Sequence, residues 1–214
     1  MIYSNPHFPE IDITLRRGGH INRSFDIVWY QFLLDHFDEF KDFYERYHCS
    51  LIKHQEGFFF LLSQGDILKT KILPKACMHL GLFLAFKKID PEITRTFGKL
   101  TMEQLFQAME TMVPHEILQK VYAPKQKEAV QYSRIRDAIR NALDTLKDLQ
   151  FIKITGDTIQ ITDAISRFME LPRHDNNPDF ATREFLSMQR GVVFDIENSD
   201  ESIGEKGEDD KGSD

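Results

Sequence analysis

The sequence predicts a mainly α-helical fold with small β wings, an α+β class made of two winged-helix units in tandem. Three observations predict it. Over residues 134–162 an amphipathic helix runs directly into a tight two-stranded hairpin, the second half of a winged helix-turn-helix. The order helix, short strand, helix, helix, hairpin occurs in the first 62 residues and returns after a linker. At 214 residues the chain can bury roughly 70% of its extended surface, so it needs neither disulfide nor metal to hold a core.

The first unit is expected over residues 1–68. Pro9 suits the first turn of a helix whose apolar face holds Ile11, Ile13 and Leu15, and Gly18-Gly19 stops it. His20-Ile21-Asn22 reads as a short strand. Ser24 or Asp26 caps the next helix, which carries Ile27, Val28, Phe32 and Leu33. Phe37, Phe40, Tyr44 and Tyr47, spaced by three and four, mark a second amphipathic helix or a bent continuation of the first. Residues 51–55, Glu56-Gly57 and residues 58–62 are strand, turn and strand.

The second unit is expected over residues 69–172. An apolar helix at 77–89 ends ahead of Asp90-Pro91, and Gly98-Lys99-Leu100 supplies the short strand. Thr101 and Gln104 form a capping box for a helix bearing Leu105, Phe106 and Met109. Residues 113–130, with Pro114 and Pro124, read as an insertion. Ile135, Ile139, Leu143, Leu146 and Leu149 then set one apolar stripe along a helix. Residues 151–155 alternate apolar and polar, Gly156-Asp157 turns, and 158–162 alternate again. Thr162 or Asp163 caps a helix with Ile165, Phe168 and Met169, which Pro172 ends. Residues 173–198 read as a linker through Asn177-Pro178 and a short docking helix near 180–188. Its isolated Phe180, Phe185 and Leu186 suit a neighbouring surface. Residues 199–214, charged and glycine-bearing, are expected to be a disordered acidic tail.

Composition narrows the function. Two unpaired cysteines, Cys49 and Cys77, argue for a reducing compartment, and no apolar run reaches the roughly 18 residues of a membrane span. A soluble intracellular protein without membrane contact is expected. The net charge of −7 belongs to the end of the chain: residues 195–214 hold nine acidic residues and two lysines, while residues 1–194 balance at 25 of each sign. A neutral body favours a protein partner over autonomous DNA binding.

Arg136, Arg140 and Lys147 fall on one line of the 134–149 helix, with Arg134 at its start. The third helix of a winged unit is the one that often enters the DNA major groove, so these are DNA-contact candidates. A few solvated cations on a surface helix explain the same pattern, and Asp137, Asp144 and Asp148 dilute the field. The run Phe58, Phe59, Phe60 packs inward or against another subunit more readily than it stacks bases, so it marks interface candidates. The 18 Phe as a whole favour a homodimer. No zinc spacing, phosphate loop or nucleophile–base pair is legible, so no metal, cofactor or catalysis is expected.

Three motifs carry a family resemblance: Leu15-Arg16-Arg17-Gly18-Gly19-His20-Ile21, Phe43-Tyr44-Glu45-Arg46-Tyr47, and Glu56-Gly57-Phe58-Phe59-Phe60-Leu61. In that order and spacing the chain resembles the MukE family of bacterial condensin subunits, over roughly residues 8–198. The resemblance implies a homodimeric, non-catalytic, kleisin-interacting protein, cytoplasmic and nucleoid-associated. Its partners would be a MukF-like kleisin and, through it, a MukB-like SMC ATPase, in a complex that condenses and segregates the chromosome. It also implies DNA contact within the loaded complex, carried here by Arg134, Arg140, Lys147 and Lys153. Thr145 and Asp148 depart from that pattern, standing where the family tends to be basic. Two other readings share the fold: a homodimeric winged-helix transcription regulator, and the equivalent subunit of a related plasmid-defence SMC complex.

Overall fold

The computed structural model describes residues 2–65, 67, 68, 72–124 and 132–170. Its first half begins with helix α1 (Phe8–Arg16), which has Pro9 in its first turn and ends where Gly18 adopts a φ of +83°. Strand β1 (Ile21–Asn22), helices α2 (Ile27–Asp35) and α3 (Phe37–Glu45), and strands β2 (Cys49–His54) and β3 (Phe58–Ser63) come next along the chain. His36, at φ −118° and ψ 28°, leaves helical geometry, so α2 and α3 are separate helices. The three strands form an antiparallel sheet in the order β1-β3-β2, with Ile21 opposite Phe59 and Ile52 opposite Phe60.

The second half repeats the plan with helices added. Helix α4 (Lys75–Lys88) and the short α5 (Pro91–Arg95) lead to strand β4 (Lys99–Thr101). Helices α6 (Met102–Met112), α7 (His115–Tyr122) and α8 (Tyr132–Asp148) precede strands β5 (Ile152–Thr155) and β6 (Thr158–Ile161). The sheet order is β4-β6-β5, the same as in the first half. The fold is thus α+β, two winged-helix units in tandem. The Thr101–Gln104 capping box forms at the start of α6 as the sequence requires.

Two local expectations are corrected and a third gains detail. Asp90-Pro91 begins a helix as well as ending one: the Asp90 carboxylate accepts the Glu92 N–H and Pro91 occupies the first turn of α5. The insertion read over residues 113–130 contains a packed element, helix α7, which has no counterpart in the first unit. Pro114 stands at the N-cap of α7, which buries Ile117, Leu118, Val121 and Tyr122 on one side. After the second wing, Thr162 turns inward, donating to the Gln150 and Phe151 carbonyls instead of capping a helix. A 3-10 turn (Asp163–Ser166) and the single-turn α9 (Arg167–Glu170) complete this region.

The apolar side chains form two clusters. One lies within the first unit and contains Leu33, Phe40, Tyr44 and Phe59. The other fills the second unit and also contains Phe58 and Phe60. Neighbouring residues of a strand face opposite sides, so β3 sends Phe59 into its own unit and Phe58 and Phe60 into the other. The first sheet is therefore covered on both faces, which explains why β3 opens with an unbroken apolar run. Gly81 of α4 completes the second core: a Cβ there would lie 2.3 Å from the Phe168 ring, so only glycine admits α9 at this spacing.

Candidate functional site

The two units meet on a polar seam built from the residues that carry the Gly-Gly-His-Ile motif. A Cβ on Gly19 would come within 2.8 Å of the Thr14 carbonyl, so this glycine lets the chain fold tightly from α1 into β1. His20, next in the chain, is fully buried and its Nε2 accepts a 2.7 Å hydrogen bond from Arg167 of α9. A guanidinium only donates, so the ring proton sits on Nδ1, which donates to the Leu149 carbonyl at 2.8 Å. Burial first, and the facing Arg167 second, pull the His20 pKa down to about 3. Arg167 also lies 3.9 Å from the centroid of Phe60, a cation–π contact inside the seam.

Asn22 carries the second half of the seam. Its Nδ2 donates to the Gln150 carbonyl at 3.0 Å and its Oδ1 accepts the Ala164 N–H at 3.2 Å. Ser24 donates to Asp163 at 2.8 Å, Lys153 lies 3.3 Å from Asp26, and His54 meets Glu170 at 2.8 Å. Asn22→Leu keeps the branched outline of the side chain but leaves the buried Ala164 N–H without a partner. It should lower stability by about 2–3 kcal/mol in urea unfolding, whereas a change under 0.5 kcal/mol would remove the seam's claimed role.

Beside the seam the two units leave an open groove of about 420 Å³. Leu61 and Leu62 of β3, Leu68 and Leu73 of the connection, Met78 of α4 and Phe168 of α9 line its apolar part. Arg16, Arg17 and Arg167 also face it. Arg16 is held by Asp12 one turn earlier, which raises its pKa, and Arg167 is engaged by His20. Arg17 is exposed and has no ion-pair partner among the described residues. Leu62 is 54% exposed and Ile72 90%, an amount of open apolar surface that a covered interior would not show. Sequence reading found none of Arg17, Arg167, His20 or Asn22 as functional positions. The one available signal was a polar His-x-Asn pair inside a buried strand.

The basic line on α8 is largely neutralised by the chain itself. Arg136 reaches back to α6, with Nε 2.7 Å from Glu110 Oε1 and Nη1 3.2 Å from Glu103 Oε2, and its guanidinium lies over Phe106. Glu110 is the main reason its pKa rises. Arg140 donates to Asp137 at 2.7 Å and Lys147 to Asp144 at 3.0 Å. These two pairs are about half exposed and exchange readily in water. Arg134 is exposed at the start of the helix. Lys153 is committed to Asp26 and lies 4.7 Å from the Phe25 ring centroid. Arg134, Arg140 and Lys147 are the accessible cations of the set, while Arg136 and Lys153 serve packing between elements.

The three aromatic interface candidates on β3 lie inside the chain. Phe58, Phe59 and Phe60 are 0%, 0% and 8% exposed, filled in by this chain's own two cores, so they have no outer face to offer a second chain. The apolar residues left outside lie elsewhere: on α2, Ile27 and Val28 are 65% and 59% exposed. Phe180, Phe185, Leu186, the 173–198 linker and the acidic tail lie outside the described residues. Among the described residues, no cluster of three His, Cys, Asp or Glu could hold a metal ion, and no helix is long and apolar enough to cross a membrane.

Comparison with known proteins supplies the family. A family model described as "Condensin complex protein MksE" matches residues 6–173. The chromosome partition protein MukE of Vibrio cholerae serotype O1 is 29% identical over 204 residues, covering 94% of this chain and 88% of that protein. The MukE of Aliivibrio salmonicida is 29% identical over 215 residues, covering 99% and 90%. That of Escherichia coli K12 is 27% identical over 200 residues, covering 91% and 84%. With two winged units welded at the Gly-Gly-His-Ile motif and a family match spanning both, the chain belongs to the MksE family of condensin complex proteins.

Proposed function

We propose that this chain is the non-catalytic, kleisin-binding subunit of a bacterial SMC-type condensin. It binds a MukF-like kleisin directly, reaches a MukB-like SMC ATPase through it, and contributes to chromosome condensation, organisation and segregation. The observation that carries this reading is the open, apolar groove between the units, faced by arginines. Such a surface suits a peptide segment with apolar anchors and acidic flanks. Association through it survives salt better than phosphate contact does, because buried apolar area is not screened. The equivalent subunit of a plasmid-defence SMC complex would use the same groove.

Purification of the tagged protein from native cells should bring down an SMC-like ATPase and a kleisin. Leu62→Asp, which places a charge on the groove wall without touching either core, should weaken kleisin binding at least tenfold. Recovery of neither partner, together with tight sequence-specific DNA binding by the isolated protein, would favour the transcription-regulator reading. The balanced charge around α8, where Glu110, Asp137 and Asp144 stand beside Arg136, Arg140 and Lys147, argues against that alternative, since autonomous phosphate binding needs clustered positive charge.

The functional unit we infer is a homodimer. The exposed Ile27 and Val28 of α2 support this, because the helix is apolar on nearly every side and a single chain covers only part of it. Light scattering on the isolated protein should report twice the chain mass of 25.1 kDa, and a species of single-chain mass would remove this part of the proposal. DNA held by the assembled complex is the further contact we propose, through Arg134, Arg140 and Lys147. Arg140→Glu with Lys147→Glu should then reduce DNA retention by the whole complex while leaving kleisin binding unchanged; undiminished retention would assign the contact to the partners alone.

A further inference from the structure

We propose that the groove between the two winged units is also a docking site for the end of this same chain, residues 192–197, which compete there with the partner segment. The competition rests on the groove's assignment to a kleisin; the docking itself does not.

Three observations converge on this occupant. The first is pattern. Val192, Phe194 and Ile196 alternate with Val193, Asp195 and Glu197. In an extended segment the first three share one side and the two carboxylates the other. The apolar side matches walls made by Leu61, Leu62 and Phe168, and the acidic side matches Arg16, Arg17 and Arg167. Arg17 is the cation best placed to receive a carboxylate, being exposed and without an ion-pair partner among the described residues. This stretch also differs in composition from residues 198–214, in which Ile203 is the sole large apolar residue.

The second observation is connection. The described chain leaves at Glu170, three residues beyond Arg167, which itself faces the groove. The intervening residues 171–191 can extend to about 70 Å, so reach imposes no restriction. A tethered segment of this kind sees its own groove at an effective concentration on the order of millimolar. An intrinsic affinity near 100 µM then suffices for about 90% occupancy.

The third is charge distribution. The body of the chain is neutral while residues 195–214 carry −7. The strongest complement on the same molecule for a segment that is apolar and acidic is an apolar groove faced by arginines. Occupancy of about 90% leaves roughly a tenth of the molecules competent for an external segment, which lowers apparent partner affinity about tenfold.

Hydrogen–deuterium exchange on the full-length protein tests this. In the wild type, amides of residues 192–197 should exchange about tenfold more slowly than in the corresponding free peptide. The protection should vanish in Phe194→Asp with Ile196→Asp, and in Arg17→Glu. Adding Asp195→Lys and Glu197→Lys to Arg17→Glu should restore it. Exchange in the wild type within twofold of the free peptide would overturn the proposal, as would protection that persists in both the tail variant and the Arg17→Glu variant. With the purified cognate kleisin subunit as probe, the tail variant should bind about tenfold more tightly than wild type. If that affinity is unchanged while the exchange pattern holds, the docking stands and the kleisin binds elsewhere.

Discussion

Truncating Phe58 to alanine should cost about 3–5 kcal/mol and should destabilise both winged units together. The residue belongs to a strand of the first unit, yet its ring is fully buried in the core of the second, stacked on His54 at 4.3 Å and 5.8 Å from His20. The cavity would therefore open where the units meet, and neither could collapse onto it alone. Chemical unfolding followed by circular dichroism should keep a single transition at a lower midpoint. Loss of under about 1 kcal/mol, or melting of the first unit with the second left intact, would show that the cores are not shared across the seam.

Acid should destabilise the protein well before its carboxylates protonate. His20 is held neutral by burial and Arg167, with a pKa of about 3, and His79 by burial alone, with a pKa of about 4. In the unfolded chain both would titrate near 6.5. Below that value the unfolded state takes up the protons first, so stability falls with pH until each folded pKa is reached. The slope is about 1.4 kcal/mol per pH unit for each histidine, or roughly 4 kcal/mol for the two by pH 5. Above pH 7 neither contributes any pH dependence. Urea midpoints at pH 7 and pH 5 measure it directly. His79→Gln should roughly halve the slope, because only His20 then remains; an unaltered slope would mean other groups control the acid response.

Much of the fold is legible in the sequence because local rules and burial agree there. The stripe from Ile135 to Leu149 has a single solution as a helix face, and the structure buries each of its members. Thr101 and Gln104 cap α6 through backbone donors only three residues apart, so no distant contact is needed to recognise them. The Gly156-Asp157 turn joins two alternating strands for the same reason. Where the structure adds to the sequence pattern, a short element starts at a proline. Pro91 and Pro114 both stand at helix starts, where the missing N–H costs nothing, and they lead into α5 and α7.

The candidate site was far less legible, because its members come from segments as much as 147 residues apart in the chain. Gly18-Gly19-His20-Ile21 announced a resemblance, but that His20 faces Arg167 depends on how α9 returns over the first sheet. The charge of α8 is countable as sequence, whereas the pairing of Arg136 with Glu103 and Glu110 depends on the placement of α6 alongside it.

By itself, then, the sequence determined the periodicities: two repeats of helix, short strand, helices and hairpin, an apolar stripe on α8, and an acidic end on a neutral body. Tertiary structure alone decided what covers each face. It sent Phe58 and Phe60 into the second core and Phe59 into the first, and it left an arginine-faced groove open between the units. The physical reason is that a period of 2 or 3.6 residues specifies which side chains share a face, while the identity of the opposing surface is set by long-range packing.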